Sequence, residues 1–147
     1  VYLQIAATHD DVAPLLPAGW TMRNPAFLMT LPIAAAAESA AASADYDAQI
    51  IDEGGIITVE MRDRSGEIAA SGKGAFTDDC LTFDKIVTNE AHRRRGLGST
   101  VMRLLTSHAT QCGARRGLLI ATPDGRALYQ RLGWTLASPI ASVISPS

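Results

Sequence analysis

An α/β fold of the α+β kind, with a mixed, mostly antiparallel central sheet flanked by helices, is predicted by three features. Between residues 46 and 88, apolar and polar residues alternate in short runs separated by glycine-rich turns. That is the period of half-buried strands in an antiparallel meander. After Gly98 the apolar spacing changes to three and four, and a βαβαβ order begins with the last meander strand. A basic loop, Arg93-Arg94-Arg95-Gly96-Leu97-Gly98, stands where the period changes. The chain has 147 residues, enough for one domain with a real core.

Each element has its own signal. Val1 to Ile5 fits a short strand, and Asp10-Asp11, Pro14, Pro17 and Gly19 mark an irregular segment. Phe27 to Leu31 reads as an apolar strand stopped by Pro32. Ala34 to Ala44 is alanine-rich. Alanine is the best helix former, but the run has almost no large side chain to anchor it, so a short helix or a linker is expected. Tyr46 to Asp52 fits a strand and Glu53-Gly54-Gly55 a hairpin turn. Ile57, Val59 and Met61 alternate with Thr58, Glu60 and Arg62, which turns the first set toward a core. After a turn at Arg64-Ser65-Gly66, Glu67 to Phe76 forms the next strand, with Ile68, Ala70 and Phe76 on one side. Gly72 and Gly74 predict a bulge or a close backbone approach there. Thr77-Asp78-Asp79 turns again, and Leu81, Phe83 and Val87 then alternate with Thr82, Asp84 and Thr88.

Beyond the basic loop, Val101, Leu104, Leu105, Ala109 and Cys112 define one apolar face of a helix that Gly113 ends. Gly117 to Ala121 is continuously small or apolar, the mark of a central buried strand. Thr122 is placed as an N-cap with Pro123 at the first helical position. Leu128 and Leu132 are the expected core contacts of this second helix, Gly133 ends it, and Trp134 to Ala137 starts a last strand. A right-handed crossover would make the strands on either side of the first helix parallel neighbours.

Composition narrows the function. Hydrophobic residues make up 47% and charged residues 19%, which is globular rather than disordered. The net charge is −2, yet three arginines sit side by side. Local clustering without a global excess favours a small anionic ligand over nucleic acid, and no aromatics are interleaved with the run to stack bases. Cys80 and Cys112 show no disulfide framework and no metal-ligand spacing, so no metal is expected and a reducing, cytoplasmic compartment is the default. No apolar run reaches membrane-spanning length and no signal peptide is evident, so no membrane partner is expected. The sequence begins at Val1 rather than methionine, which is compatible with a fragment or a processed product.

Strand, glycine turn and helix start are the parts of a phosphate-cradling loop, because backbone N–H groups and the positive end of the helix dipole point at the turn. Two familiar versions are excluded. A P-loop needs Gly-x-x-x-x-Gly-Lys-Ser/Thr, whereas Gly98 is followed directly by Ser99. A dinucleotide fingerprint needs a third glycine where Val101 stands.

Arg93-x-x-Gly96-x-Gly98 instead resembles the acetyl-coenzyme A signature of the GNAT superfamily of N-acetyltransferases. Leu128-Tyr129-Gln130-Arg131-Leu132-Gly133-Trp134 resembles that family's Leu-Tyr-x-x-x-Gly-Phe/Trp element. The resemblance runs from about Ile56 to Trp134. It implies a single GNAT-like domain over 1–147, with 1–45 an atypical N-terminal segment and 46–138 the acetyl-CoA-binding core. It further implies transfer of acetyl from acetyl-CoA to a primary amine by direct attack on the thioester.

The same resemblance assigns roles. Backbone groups of Ile86, Val87 and Thr88 would pair with the pantetheine arm. N–H groups from Arg94 through Arg95, Gly96, Leu97 and Gly98 to Ser99 would hold the pyrophosphate, and Arg93, Arg94 and Arg95 would supply charge. Tyr129 matches the tyrosine that acts as general acid. A phenol with a pKa near ~10 stays protonated at neutral pH and can donate to the departing thiolate. For the general base, Asp84 lies on the face expected for Thr82 and Thr88, and Glu60 lies on a neighbouring strand. His92 suggests cofactor contact or plain exposure, and His108 a structural role. Thr122 stands where many members carry a cofactor-contacting asparagine, and its hydroxyl cannot copy both amide functions. The paired early helices that wall the acceptor site in the family are not evident. A non-catalytic acyl-CoA sensor is therefore the alternative reading. A homodimer is compatible with the sequence, which does not name the acceptor amine. Asp10, Asp11, Asp45, Asp47, Asp52 and Glu53 offer an acidic rim for a cationic one.

Overall fold

The computed structural model describes residues 1–33 and 44–147. In chain order the elements are β1 (Tyr2–Ile5), α1 (His9–Val12), β2 (Thr21–Met22), β3 (Ala26–Pro32), β4 (Asp47–Glu53), β5 (Ile56–Arg62), β6 (Ile68–Thr77), β7 (Cys80–Thr88), α2 (Leu97–Gln111), β8 (Arg116–Ala121), α3 (Pro123–Arg131) and β9 (Thr135–Ile144). Single 3-10 turns lie at Ala13–Leu15 and Glu90–His92. The alanine-rich run lies, apart from Ala44, outside the described residues. The chain divides into two compact units, Pro32–Gly117 and Val1–Leu31 together with Leu118–Ser147.

In the Pro32–Gly117 unit, β4, β5, β6 and β7 form the expected antiparallel meander, in that order. The β4–β5 turn is a two-residue loop with both glycines at positive φ, 63° at Gly54 and 89° at Gly55. That geometry matches the twist of the flanking strands. Ile57, Val59 and Met61 are buried, as their alternation requires. Helix α2 packs across β5, β6 and β7 through Leu97, Val101, Leu105 and Ala109. Its close seat on the sheet explains Gly72. A Cβ there would come within 2.5 Å of Val101 Cγ1 and 2.6 Å of Ile86 Cδ1. Gly113, at φ 101°, ends α2. The Gly113 N–H donates to Thr110 O at 3.0 Å and the Ala114 N–H to Ala109 O at 2.9 Å, a Schellman closure.

Three expected faces change in this unit. Ile68 is exposed, because the β5–β6 register shifts between Met61 and Arg62. Val87 is 57% exposed, because a second irregularity between Ser71 and Lys73 breaks the β6–β7 register and Lys85 adopts φ 51°. One inserted residue reverses every later side chain, so Ile86 rather than Val87 faces Gly72. Cys112 is exposed at the end of α2 instead of closing its apolar face.

In the other unit the strand order is β1-β9-β3-β8, with β2 also paired to β9. β1, β2 and β3 are all antiparallel to β9. β9 runs well past the expected Trp134–Ala137 start and through Pro139. Pro139 lies opposite Phe27, beside the bulge at Leu28/Met29 and before β1 joins at Ala141. A missing N–H is tolerated next to a bulge and where one flank is not yet paired. The segment read as irregular contains α1, whose start is a capping box between Thr8 and Asp11. Val12 packs there with Ala141 and Val143, backed by Leu16, Trp20 and Met22. β8 alternates instead of being buried throughout, and Ile120 is 47% exposed. Leu128 and Leu132 are each 45% exposed, not core contacts. α3 is held instead by Tyr129, edge-on to buried Trp134 at 6.1 Å, and by the Arg126 guanidinium 4.5 Å over the Phe27 ring.

Candidate functional site

The basic loop is shaped by backbone rather than by side-chain capping. Asn89 caps the 3-10 turn by accepting from the Ala91 N–H. Arg94 then takes φ 65° and Gly96 φ 72°. Gly96 is itself the N-cap of α2, and no side chain caps that helix. The first-turn N–H groups of Leu97, Gly98 and Ser99 are thus directed out of the helix toward an external acceptor. A Cβ at Gly96 would meet nothing within 4 Å, so the space over the turn is open. Gly98 sits where a Cβ would lie 3.6 Å from Thr88 Oγ1, so the end of β7 and the first turn of α2 adjoin. The Arg93 and Arg94 side chains are exposed, and Leu97 anchors the turn with its buried side chain. This arrangement fits a pyrophosphate: three N–H donors, a helix N-terminus and two free guanidinium groups around an open turn.

Behind the loop lies a network that local sequence patterns do not announce. Arg95 Nη1 donates to the Tyr46 hydroxyl at 2.9 Å. Tyr46 also shares a hydrogen bond with His92 Nδ1 at 2.9 Å, and the His92 ring meets its ring edge-on. His92 Nε2 lies 3.3 Å from Asp63 Oδ2. One proton arrangement satisfies all four residues: Tyr46 donates to Nδ1 and His92 donates from Nε2 to Asp63. The Ser65 hydroxyl, the Glu67 and Ser65 N–H groups and His92 together hold the Asp63 carboxyl below its ordinary value, despite some opposing desolvation. His92 is therefore part-buried rather than plainly exposed, and Arg95, itself an exposed residue, is tied to Tyr46 through its guanidinium.

In the second unit, burial raises the Tyr129 phenol above its ordinary 10.0, which keeps it protonated at neutral pH. Gly125 lets the ring lie against the first turn of α3, where a Cβ would come within 3.4 Å of Tyr129 Cε2. The Thr122 hydroxyl accepts from the Gly125 N–H at 3.1 Å, so it serves as the expected N-cap. The β8–α3 turn, from Ile120 through Thr122 to Asp124, lines an open cleft of about 630 Å³ with Tyr2, Asn24 and buried Ser142 on its other side.

The shared face that supported Asp84 as a base is not observed. Asp84 is exposed beside Thr82 and opposite Lys73, while the bulge turns Thr88 toward α2. Glu60 is paired with Arg62 at 2.8 Å. His108 bonds Asp52 at 2.9 Å on the surface. Both cysteines are free thiols. No helix among the described residues is long and apolar enough to cross a membrane.

Residues 20–134 match the model of the acetyltransferase (GNAT) family, and the chain belongs to that family. Its fold is the GNAT-like one, a mixed, mostly antiparallel α+β sheet with, among the described residues, three α-helices. A GCN5-related N-acetyltransferase from Sphaerobacter thermophilus is similar at TM-score 0.75 and 14% identity, over 97% of this chain and 59% of that one. One from Kribbella flavida is similar at TM-score 0.68 and 19% identity, over 88% of this chain and 61% of that one. Glucosamine-6-phosphate N-acetyltransferase from Arabidopsis thaliana is similar at TM-score 0.54 and 19% identity, over 63% of this chain and 65% of its own. The chain thus spans about three fifths of the length of the first two structures. Comparison with curated proteins finds no match.

Proposed function

We propose that this chain is an acetyl-CoA-dependent N-acetyltransferase acting on a primary amine, working as a single domain over 1–147. The observation that carries the reading is the uncapped, left-handed glycine turn at the start of α2, inside a chain of the GNAT family. In this reading the N–H groups from Arg94 to Ser99 bind the pyrophosphate, and Arg93 and Arg94 neutralise its charge. Arg95 acts from behind, fixing the loop through Tyr46. Backbone groups of Ile86, Val87 and Thr88 hold the pantetheine arm, and Thr122 caps the helix that carries Tyr129.

Acetyl-CoA supplies an activated thioester. The amine nitrogen bonds to the acetyl carbon, the carbon–sulfur bond breaks, and the Tyr129 hydroxyl gives its proton to the leaving sulfur. Raising the phenol by burial keeps that proton available across the neutral range. The amine must lose its own proton. No side chain is assigned to that step, because Asp84 does not share a face with Thr88 and Glu60 is engaged by Arg62.

Calorimetric titration with acetyl-CoA, followed by acetyl transfer to a panel of amines read as released thiol, tests the reading. We expect saturable binding and turnover of at least one amine. Tyr129→Phe is expected to lower turnover while leaving affinity nearly unchanged. Unchanged turnover would remove Tyr129 from the chemistry, and absence of binding would overturn the function.

A further inference from the structure

We propose that Asp52, His108 and Cys112 form a binding site for a divalent transition-metal ion of the zinc class, joining strand β4 to the last turn of α2. The three potential ligand atoms, a carboxylate oxygen, an imidazole nitrogen and a thiol sulfur, all lie within 4.8 Å of one another. Two of them already touch, with His108 Nε2 and Asp52 Oδ2 2.9 Å apart. His108 and Cys112 are four apart on α2, so they share one face of the helix. The Cys112 backbone stays in the right-handed helical region, which preserves that alignment. Asp52 is aimed from the other side by the β4–β5 turn, where its Oδ1 accepts the Gly55 N–H at 3.3 Å.

The donor set decides the metal. Thiolate and imidazole select borderline-soft ions such as Zn²⁺ over Mg²⁺ and Ca²⁺, which take oxygen ligands. Three protein ligands complete a tetrahedral shell with one water. In such a shell neighbouring donor atoms sit roughly 3.3–3.6 Å apart, given metal–ligand distances of about 2.0–2.3 Å. The 2.9 Å pair must open slightly, and any pair at the 4.8 Å limit must close by about 1.2–1.5 Å. Cys112 is exposed and can make most of that adjustment by rotating its side chain. The negative end of the α2 dipole adds a favourable field for a cation. The ligands come from two elements 56 residues apart in sequence, counting from Asp52 to His108, so a bound ion would cross-link the unit and stabilise it by mass action.

The site lies at the far end of α2 from Gly96, about 22 Å along a helix of this length. It shares no ligand with the glycine turn, and its test does not depend on the acetyltransferase reading.

The probe is Zn²⁺ alone, titrated into the full chain carrying Cys80→Ser, so that Cys112 is the only thiol. Thiol modification rate, metal binding by equilibrium dialysis and Tm are followed together. We expect one bound equivalent, protection of Cys112 and a higher Tm, with no response to Mg²⁺. Co²⁺ added to the unaltered chain should give a thiolate-to-metal charge-transfer band, a readout that survives if Cys80→Ser folds poorly. Asp52→Asn and His108→Gln should each weaken binding by at least the roughly 10- to 100-fold that loss of an outer-shell partner costs at other sites. Absence of protection and of the Co²⁺ band would overturn the proposal. So would protection that is unchanged in both variants, which would reduce Cys112 to an exposed thiol that binds metal without help.

Discussion

Arg95 and Tyr46, 49 positions apart in sequence, are joined by a 2.9 Å hydrogen bond from the guanidinium to the phenol oxygen. That bond ties the basic loop to the residue preceding strand β4. Of the three adjacent, exposed arginines it ties one, Arg95, to another side chain of the protein. The Tyr46 hydroxyl is shared with His92, so a single oxygen governs the conformation of the loop on both sides of Arg93 and Arg94.

Removing that oxygen should loosen the loop while keeping the ring. For Tyr46→Phe we expect a stability loss of about 1–2 kcal/mol, the worth of one or two hydrogen bonds including one to a charged group. Acetyl-CoA binding should weaken severalfold, because ordering the loop is then charged to binding. Urea unfolding and calorimetry on the same samples check both. Unchanged affinity would show that Arg95 and His92 do not shape the binding loop.

Gly96 and Gly98 should respond differently, although they look equivalent in sequence. Gly96 is at φ 72° with open space around it, so Gly96→Ala pays about 1–2 kcal/mol of left-handed backbone strain without a clash. Gly96→Asn should recover part of this, since asparagine tolerates that region. Gly98 lies within α2, where a Cβ would meet Thr88 Oγ1 at an ordinary 3.6 Å. Gly98→Ala is expected to keep or raise Tm while obstructing the pyrophosphate. Equal Tm losses at both positions would contradict the geometry.

At Gly72 the constraint is packing alone. An added Cβ would stand 2.5 Å from Val101 Cγ1, so Gly72→Ala should cost about 1–3 kcal/mol through overpacking. Pairing it with Val101→Ala, which removes the clashing methyl, should cost less than the sum of the two single changes. Strict additivity in chemical denaturation would place the strain elsewhere.

The acid limb of stability should depend on Asp63. Its carboxyl is held below the ordinary 3.8, first by the Ser65 hydroxyl and then by N–H groups and His92. A depressed carboxylate binds fewer protons in the folded state than in the unfolded one. Its contribution is therefore present above pH 3.8 and is lost as pH falls through the lowered folded value. Asp63→Asn should be less stable near neutrality and should lose less further stability on acidification. Parallel stability–pH curves for the two proteins would refute the assignment.

Where one face of an element packs locally, the sequence was readable. Ile57, Val59 and Met61 alternate and are buried together. Gly113 and Gly133 mark helix ends in the sequence, and both lie at positive φ just past α2 and α3. A single residue that shifts a register leaves no such local signal. Lys85 at φ 51° exchanges Val87 for Ile86 on the inner face and removes Asp84 from the side of Thr88. Leu128 and Leu132 have helical spacing but lie on the outer side of α3, which is anchored through Tyr129 and Arg126.

By itself the sequence determined the meander, the ends of α2 and α3, the family and the loop with its two glycines, because each depends on residues within a few positions of one another. The tertiary structure decided which arginine of the loop bonds Tyr46, that His92 is linked to Tyr46 and Asp63, and that Asp52 and His108 meet near Cys112. Those contacts join residues 29 to 60 positions apart. No local period encodes them, since they exist only after strand pairing and helix packing have brought distant side chains together.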